Sequence, residues 1–219
     1  MLQHRFIDSV RKHPSKIAFV DRTTGRDVSY SQALLASLIL ARRFRKMERG
    51  RIGIMLPTSS GAALTIIGAV MSRLTPVMIN YSTGAEKNCL FAQKKCDFKV
   101  IVTTKALLEK TGCKQLPDMV FIEDIMANLG GFEKALAFLK SKLPLSLLKR
   151  IAGKPNLDKP AVILFTSGSE KEPKVVQLSQ RNLISNIDSF SEMMEIYDMD
   201  RLLAVLPYFH VFGLTINLW

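Results

Sequence analysis

The chain has 219 residues, 47% of them hydrophobic, with 31 Lys and Arg against 19 Asp and Glu for a formal charge of +12. That apolar share excludes a disordered chain and suffices for one sizeable core, while the cationic excess favours acidic partners such as a nucleotide, an acidic carrier protein or an anionic membrane. Nucleic acid is set aside as a partner, because no aromatic-interleaved basic stripe, zinc-finger spacing or RNA-recognition signature accompanies the charge.

Phe6, Ile7 and Val10 share one face of a short amphipathic helix that ends near His13-Pro14. The stretch from Met1 to His13 has no signal-peptide core, so a cytoplasmic location is expected. Ile17 to Asp21 is a predicted strand, and Thr24-Gly25-Arg26 turns it toward a second at Asp27 to Tyr30. Ser31 to Met47 reads as a helix whose basic end, Arg42, Arg43, Arg45 and Lys46, complements its dipole. Ile52 to Leu56 is a strand, and a helix with a hydroxyl cap runs from Thr58 or Ser59 to Arg73. Ile52 to Ser72 carries no charge, yet Pro57-Thr58-Ser59-Ser60 cuts it into pieces too short for a bilayer. It is read as core.

Pro76 to Ile79 is the next strand, and a helix over Ala85–Lys95 leads into a strand at Phe98–Val102. Cys89 and Cys96, seven apart, fall on one helix face; with Cys113 they are expected as reduced thiols without metal spacing. Lys105 to Thr111 is helical, Met119 to Ile122 a strand, and Phe132 to Leu143 a helix that Pro144 to Ile151 continues after a break. Gly153 to Pro160 is a polar linker ahead of the apolar strand Ala161 to Phe165. Lys174 to Leu178 is a strand, Ser179 caps a helix to about Glu195, Leu202 to Leu206 is a strand, and Pro207 to Gly213 opens a last helical turn. Strands alternating with helices predict an α/β fold: layered sheets of mostly parallel strands with flanking helices.

The loop between the strands at 161–165 and 174–178 carries the chemistry. Thr166, Ser167 and Ser169 offer hydroxyl donors, and Gly168 lets the backbone approach a ligand. Pro173 stiffens the far side, and Lys174 delivers an ammonium. Hydroxyls, exposed backbone N–H groups and one cation on a tight loop suit a polyphosphate. Composition alone supports a plainer reading, a Ser/Gly hairpin turn between two strands. A Walker A loop is excluded, since Pro173 and Val175 stand where it needs a Gly and a Ser or Thr.

In their order, Thr166, Ser167, Gly168, Ser169, Pro173, Lys174 and Val176 resemble the phosphate-binding signature of the acyl-adenylate-forming superfamily, the AMP-binding synthetases and ligases. Lys171 and Val175 stand where that pattern has glycines. Leu206-Pro207-Tyr208-Phe209-His210-Val211-Phe212-Gly213 looks like a second motif of the same family. An isolated histidine would be read as a core residue with a backbone partner. In this motif the resemblance implies a catalytic place for His210 beside the acyl substrate and nucleotide, as a neutral donor or a cation. Ser29-Tyr30, Ile54-Met55-Leu56-Pro57 and Pro76-Val77-Met78-Ile79-Asn80 resemble the N-terminal subdomain of these enzymes.

The resemblance implies the N-terminal part of the adenylate-forming synthetase fold, truncated. Residues 1–152 would form a first α/β subdomain with a basic helical segment at 132–152, residues 160–219 would begin the phosphate-loop subdomain, and the C-terminal half would be absent. It further implies ATP and Mg2+ as cofactors, with Thr166, Ser167, Gly168, Ser169 and Lys174 on the nucleotide phosphates. The protein ligand for Mg2+ is expected beyond residue 219, so no metal ligand is assigned within the chain and these residues alone are expected to be inactive. The intact protein would activate a fatty acid as acyl-AMP and transfer it to the thiol of acyl carrier protein. Phe165 to Glu170 and Leu143 to Arg150 resemble the acyl-carrier-protein synthetase part of bacterial 2-acylglycerophosphoethanolamine acyltransferases, which pass the group on to lysophospholipid. A fatty acyl-CoA ligase is the close alternative. A non-catalytic membrane- or carrier-binding module with a degenerate loop is another, suggested by Lys171 and Val175.

From Lys134 to Lys154 the chain carries six basic residues, Lys134, Lys140, Lys142, Lys149, Arg150 and Lys154, and no acidic one. Leu136, Phe138, Leu139, Leu143, Leu145, Leu147, Leu148 and Ile151 interleave with them. Two readings stand: a helix packed on the sheet with a solvated basic face, or an interfacial segment that holds the protein peripherally on the inner face of an anionic membrane.

Overall fold

The computed structural model describes residues 1–22, 24–154, 156–166 and 172–219. β1 (Ile17–Asp21) and β2 (Arg26–Ser29) form a separate antiparallel pair, as the turn at Gly25 predicts. The main sheet is built from β3 (Arg51–Ile54), β4 (Thr75–Met78), β5 (Ile101–Thr103), β6 (Met119–Phe121), β7 (Pro160–Phe165) and β8 (Val175–Ser179) in the order β6-β5-β3-β4-β7-β8. Its pairings are parallel apart from β7 with β8. The mostly parallel α/β architecture expected from the alternation is therefore present. Strands from both sides of the polar 153–160 segment share this one sheet.

Around it lie α1 (Leu2–Lys12), α2 (Tyr30–Met47), α3 (Ser60–Met71), α4 (Ala85–Cys96), α5 (Lys105–Thr111), α6 (Ile122–Ala127), α7 (Gly131–Ser141), α8 (Leu145–Ala152), α9 (Gln180–Met194) and α10 (Val211–Leu218). Local chemistry sets several of the starts. The Ser29 hydroxyl accepts from the Gln32 N–H while the Gln32 side chain accepts from the Ser29 N–H, a reciprocal cap that turns β2 into α2. Ser179 and Asn182 do the same between β8 and α9. At α3 the buried Asp21 carboxylate accepts from the Ser60 N–H at 2.9 Å and hydroxyl at 2.6 Å, which fastens the small sheet to the helix N-terminus.

Successive residues of a strand face opposite ways, and β7 shows the consequence. Val162 and Leu164 join Ile52, Ile54, Ile66 and Met78 on the α3 side. Ile163 joins Met55, Val77, Cys89, Ala92 and Leu107 under α4 and α5 on the other. A third layer binds α1, α2, α7 and α8 through Ile7, Leu34, Leu38, Ala137 and Leu148. At Gly68 an added Cβ would lie 2.8 Å from the Leu40 Cβ, so α2 and α3 cross almost backbone to backbone. The uncharged 52–72 run is β3 and α3 in the core, and among the described residues no helix is long and apolar enough to cross a membrane.

Three expectations are corrected. Leu202–Leu206 is not a strand: among the described residues no strand pairs with it, and Leu203 and Val205 stand 82% and 70% exposed. Branched and apolar side chains do not hold an extended segment in place without a ladder partner. The strand expected at Phe98–Val102 is displaced to Ile101–Thr103, because the Glu48 carboxylate accepts the Lys99 N–H at 2.7 Å and the Val100 N–H at 3.1 Å in place of a neighbouring strand. The strand expected to reach Ile122 stops at Phe121; Ile122 opens α6, which the sequence reading missed, with Glu123 and Asp124 in its first turn. Cys89 and Cys96 are buried and Cys113 half-buried. Burial, with Cys113 and Glu86 nearby, pushes the Cys89 thiol up to about 12.

Candidate functional site

The β7–β8 ladder ends with Phe165 opposite Val175. One step beyond, the Thr166 N–H donates to the Lys174 carbonyl at 3.0 Å, and the Lys174 N–H donates to Thr166 Oγ1 at 3.1 Å. This reciprocal pair pins the neck of the loop. β7 and β8, on either side of the loop, pair antiparallel, as the hairpin reading of its composition expects. Thr166 and Lys174 are both exposed. Ser167, Gly168, Ser169 and Lys171 lie outside the described residues. On the far side of the loop, Glu172 pairs with Lys95 of α4 at 3.4 Å.

His210 caps the N-terminus of α10: its N–H donates to the Pro207 carbonyl at 3.0 Å, and its carbonyl accepts from the Leu214 N–H at 2.9 Å. The spacing to Gly213 has a steric reason. A Cβ there would lie 2.4 Å from the Pro207 oxygen and 2.8 Å from that of Leu206, so only glycine lets the first turn of α10 close over these carbonyls. Tyr208 and Phe209 are buried and anchor the turn. Burial and the nearby Asp21 push the Tyr208 hydroxyl up to about 12. The Phe209 ring meets Tyr81 edge-on at 5.0 Å and lies 4.6 Å from the His210 ring. His210 itself is exposed and is not a core histidine.

Thr166, Pro173 and His210 line one pocket of about 180 Å³ together with Met78, Asn80, Asn88, Phe91 and Phe165. It opens beyond the carboxyl ends of β4 and β7, where open α/β sheets hold their ligands. Two segments distant in sequence thus meet, while Lys174 stays at the neck outside this lining. Asn80, Asn88 and Phe91 went unassigned in the sequence reading. The signals available were Asn80 directly after its strand and a polar residue, Asn88, inside α4. The Asn88 Nδ2 donates to the carbonyls of Asn80 at 2.9 Å and Thr83 at 2.8 Å, closing the turn between β4 and α4. Phe91 packs edge-on to Phe165 at 5.8 Å.

Among the described residues the lining offers two hydroxyls, Thr83 and Thr166, two amides and an imidazole but no carboxylate. It suits an anionic group and gives Mg2+ no anionic oxygen; among the described residues no three His, Cys, Asp or Glu side chains gather as a metal site. Sites that enclose a drug-sized ligand run to about 300–1,000 Å³, so this pocket has room for only one end of such a ligand. Phe91 also borders a second, open cavity of about 1070 Å³ along α4 and α5, where Lys87, Lys94 and Lys110 stand beside Leu90 and Leu107.

Residues 6–219 match the family described as AMP-binding enzyme. The chain is similar to peroxisomal OPC-8:0-CoA ligase 1 of Arabidopsis thaliana, 26% identical over 216 residues that cover 96% of this chain and 39% of that protein. It is similar to 4-coumarate–CoA ligase 1 of Petroselinum crispum, 22% identical over 219 residues, again covering 39% of the relative. Among solved structures, o-succinylbenzoate coenzyme A synthetase from Bacillus subtilis in complex with ATP and magnesium ion superposes with a TM-score of 0.73 at 16% identity, over 97% of this chain and 53% of that one. At that identity the likeness speaks for the fold. The chain spans about two-fifths of the length of these curated relatives.

Proposed function

Because the chain belongs to the AMP-binding enzyme family, we propose that it forms the phosphate-loop part of an ATP-dependent acid–thiol ligase acting on a fatty acid. The observation that supports this reading is the meeting of Thr166 and His210 in one pocket at the strand ends, lined by no carboxylate among the described residues. ATP, as substrate, supplies the phosphoryl centre on which the acid becomes acyl-AMP. Thr166 and the hydroxyls and N–H groups of 167–169 hold the phosphates, and Lys174 contributes a positive charge at the neck. His210 donates to, or carries positive charge beside, the acid carboxylate. Work of this kind is positioning and preorganised electrostatics more than covalent chemistry.

The acceptor thiol is the finer question. Acyl carrier protein, with onward transfer to lysophospholipid, is the reading drawn from Leu143 to Arg150. Coenzyme A is favoured by the ligases to which the chain is similar and by the cavity beside Phe91, whose three lysines suit an anionic carrier of a long thiol arm. The test is fatty-acid-dependent ATP–pyrophosphate exchange by the protein that bears this chain, followed by thioester formation with either acceptor. Lys174→Ala should lower exchange about 100- to 1,000-fold, the usual effect of removing one preorganised contact. Exchange that ignores fatty acid, or a Lys174→Ala protein that matches the parent, would overturn the reading.

A further inference from the structure

We propose that the outward face of α7, continued by the 142–147 turn into α8, is a docking surface for an anionic lipid bilayer. α7 inverts the usual polarity of a surface helix. Surface helices bury their large apolar residues and expose polar ones. In α7 the fully buried residue is Ala137, whereas Phe132, Phe138 and Leu139 are 73%, 54% and 64% exposed. Leu145 and Leu147 remain well exposed on α8, which spends Leu148 and Ala152 on packing against α1.

Cations accompany these apolar tips. The Lys142 ammonium lies 5.3 Å from the Phe138 ring centre and the Arg42 guanidinium 5.6 Å from that of Phe132. Lys134 and Arg150 are also exposed. The acidic groups that face the region are engaged: Glu133 in an ion pair with Arg43, and Asp8 with Lys149 at 2.6 Å. Burial first, then the nearby Arg45 and Arg42, lowers the pKa of Lys140. Aromatic and aliphatic tips with lysine and arginine between them match a headgroup boundary, apolar side chains below and cations among the phosphates. The face is a convex helix and not a groove, which fits a fluid surface better than a folded acidic partner. This surface is independent of adenylation; the binding assay below reads it with no ATP or fatty acid present.

The experiment is co-sedimentation with vesicles of phosphatidylcholine, alone or with phosphatidylglycerol replacing part of it. Binding should rise with phosphatidylglycerol and fall as salt is raised from about 0.1 to 1 M, where the screening length shrinks from about 10 to 3 Å. Lys134→Ala with Lys142→Ala should weaken binding about 30-fold, from about 1 kcal/mol per near-surface cation. Phe138→Ser with Leu139→Ser should weaken binding to a similar degree while keeping the salt dependence. All four side chains are exposed, so an unchanged far-UV spectrum and unfolding midpoint serve as the folding control. Indifference to phosphatidylglycerol, or both variants binding like the parent, would overturn the proposal. So would binding to soluble polyglutamate in place of vesicles, which would mark an acidic protein partner.

Discussion

Replacing Gly213 with alanine tests the steric account of the His210 turn. Within a helix this substitution ordinarily stabilises, by about 1 kcal/mol, because alanine is the better helix former. Here the new Cβ would start 2.4 Å from the Pro207 oxygen. A carbon and a carbonyl oxygen settle at about 3.3 Å, so α10 or residues 206–207 must retreat by about 0.9 Å. Both obstacles are backbone atoms, and no rotamer can relieve them. Overpacking of this kind costs about 1–3 kcal/mol, enough to reverse the propensity gain. His210, three residues earlier, moves with the turn; a displacement near 1 Å at a reacting centre costs about 100-fold in rate. Urea unfolding followed by far-UV circular dichroism and by Trp219, the one tryptophan of the 219 residues, gives the stability. Pyrophosphate exchange gives the rate. A Gly213→Ala protein more stable than the parent by about 1 kcal/mol, the bare propensity gain, would refute the reasoning.

Gly68→Ala should likewise cost about 1–3 kcal/mol, since its Cβ would meet that of Leu40 at 2.8 Å; adding Leu40→Ala, which keeps that Cβ, should not restore stability, and recovery would refute a backbone-level contact. Tyr208 gives a pH dependence. Its hydroxyl titrates near 12 when folded against 10 ordinarily, so its contribution is intact below about pH 10 and is lost as pH rises toward 12. Tyr208→Phe should therefore flatten the alkaline fall of the melting temperature, and parallel curves for the two proteins would count against it. Iodoacetamide at about pH 8 should alkylate half-buried Cys113 in the native protein and reach buried Cys89 and Cys96 only in denaturant, as read by peptide mass spectrometry. Modification of Cys89 in the native state would contradict its raised pKa.

The sequence was most legible where a local rule acts alone. Ser179 announces the start of α9, and the unbroken apolar run from Ala161 to Phe165 announces a buried strand; Ser29, read as part of a strand, instead caps α2 with Gln32. It was least legible where a distant group decides. Nothing near Lys99 and Val100 reveals that the Glu48 carboxylate will take their N–H groups. Leu202 to Leu206 has strand composition, but composition does not supply a ladder partner. At the site, Thr166 and His210 were readable from their motifs, whereas Asn80, Asn88 and Phe91 lack a motif and enter the pocket only through the β4–α4 turn.

A second apolar surface provides a control for the lipid proposal. Met193, Met199, Leu203 and Val205 are 73%, 91%, 82% and 70% exposed, more than any apolar residue of α8. If apolar exposure alone drove lipid binding, this stretch would dominate it. Within residues 193–205 the charges have the opposite sign, with Glu195, Asp198 and Asp200 against Arg201. Asp198 lies 3.3 Å from both Lys12 and His13, which hold its carboxyl below the usual range, the Lys12 bond first. An anionic bilayer repels carboxylates that stay ionised, and desolvating them at the headgroups adds to the cost. Met199→Ser with Leu203→Ser should therefore leave vesicle affinity within about twofold of the parent, while Phe138→Ser with Leu139→Ser lowers it. Exposed substitutions of this kind shift stability by no more than about 0.5 kcal/mol, so the comparison is not confounded by unfolding. If the two pairs weaken sedimentation equally, exposed apolar area governs binding, and the lysines of α7 lose the role assigned to them.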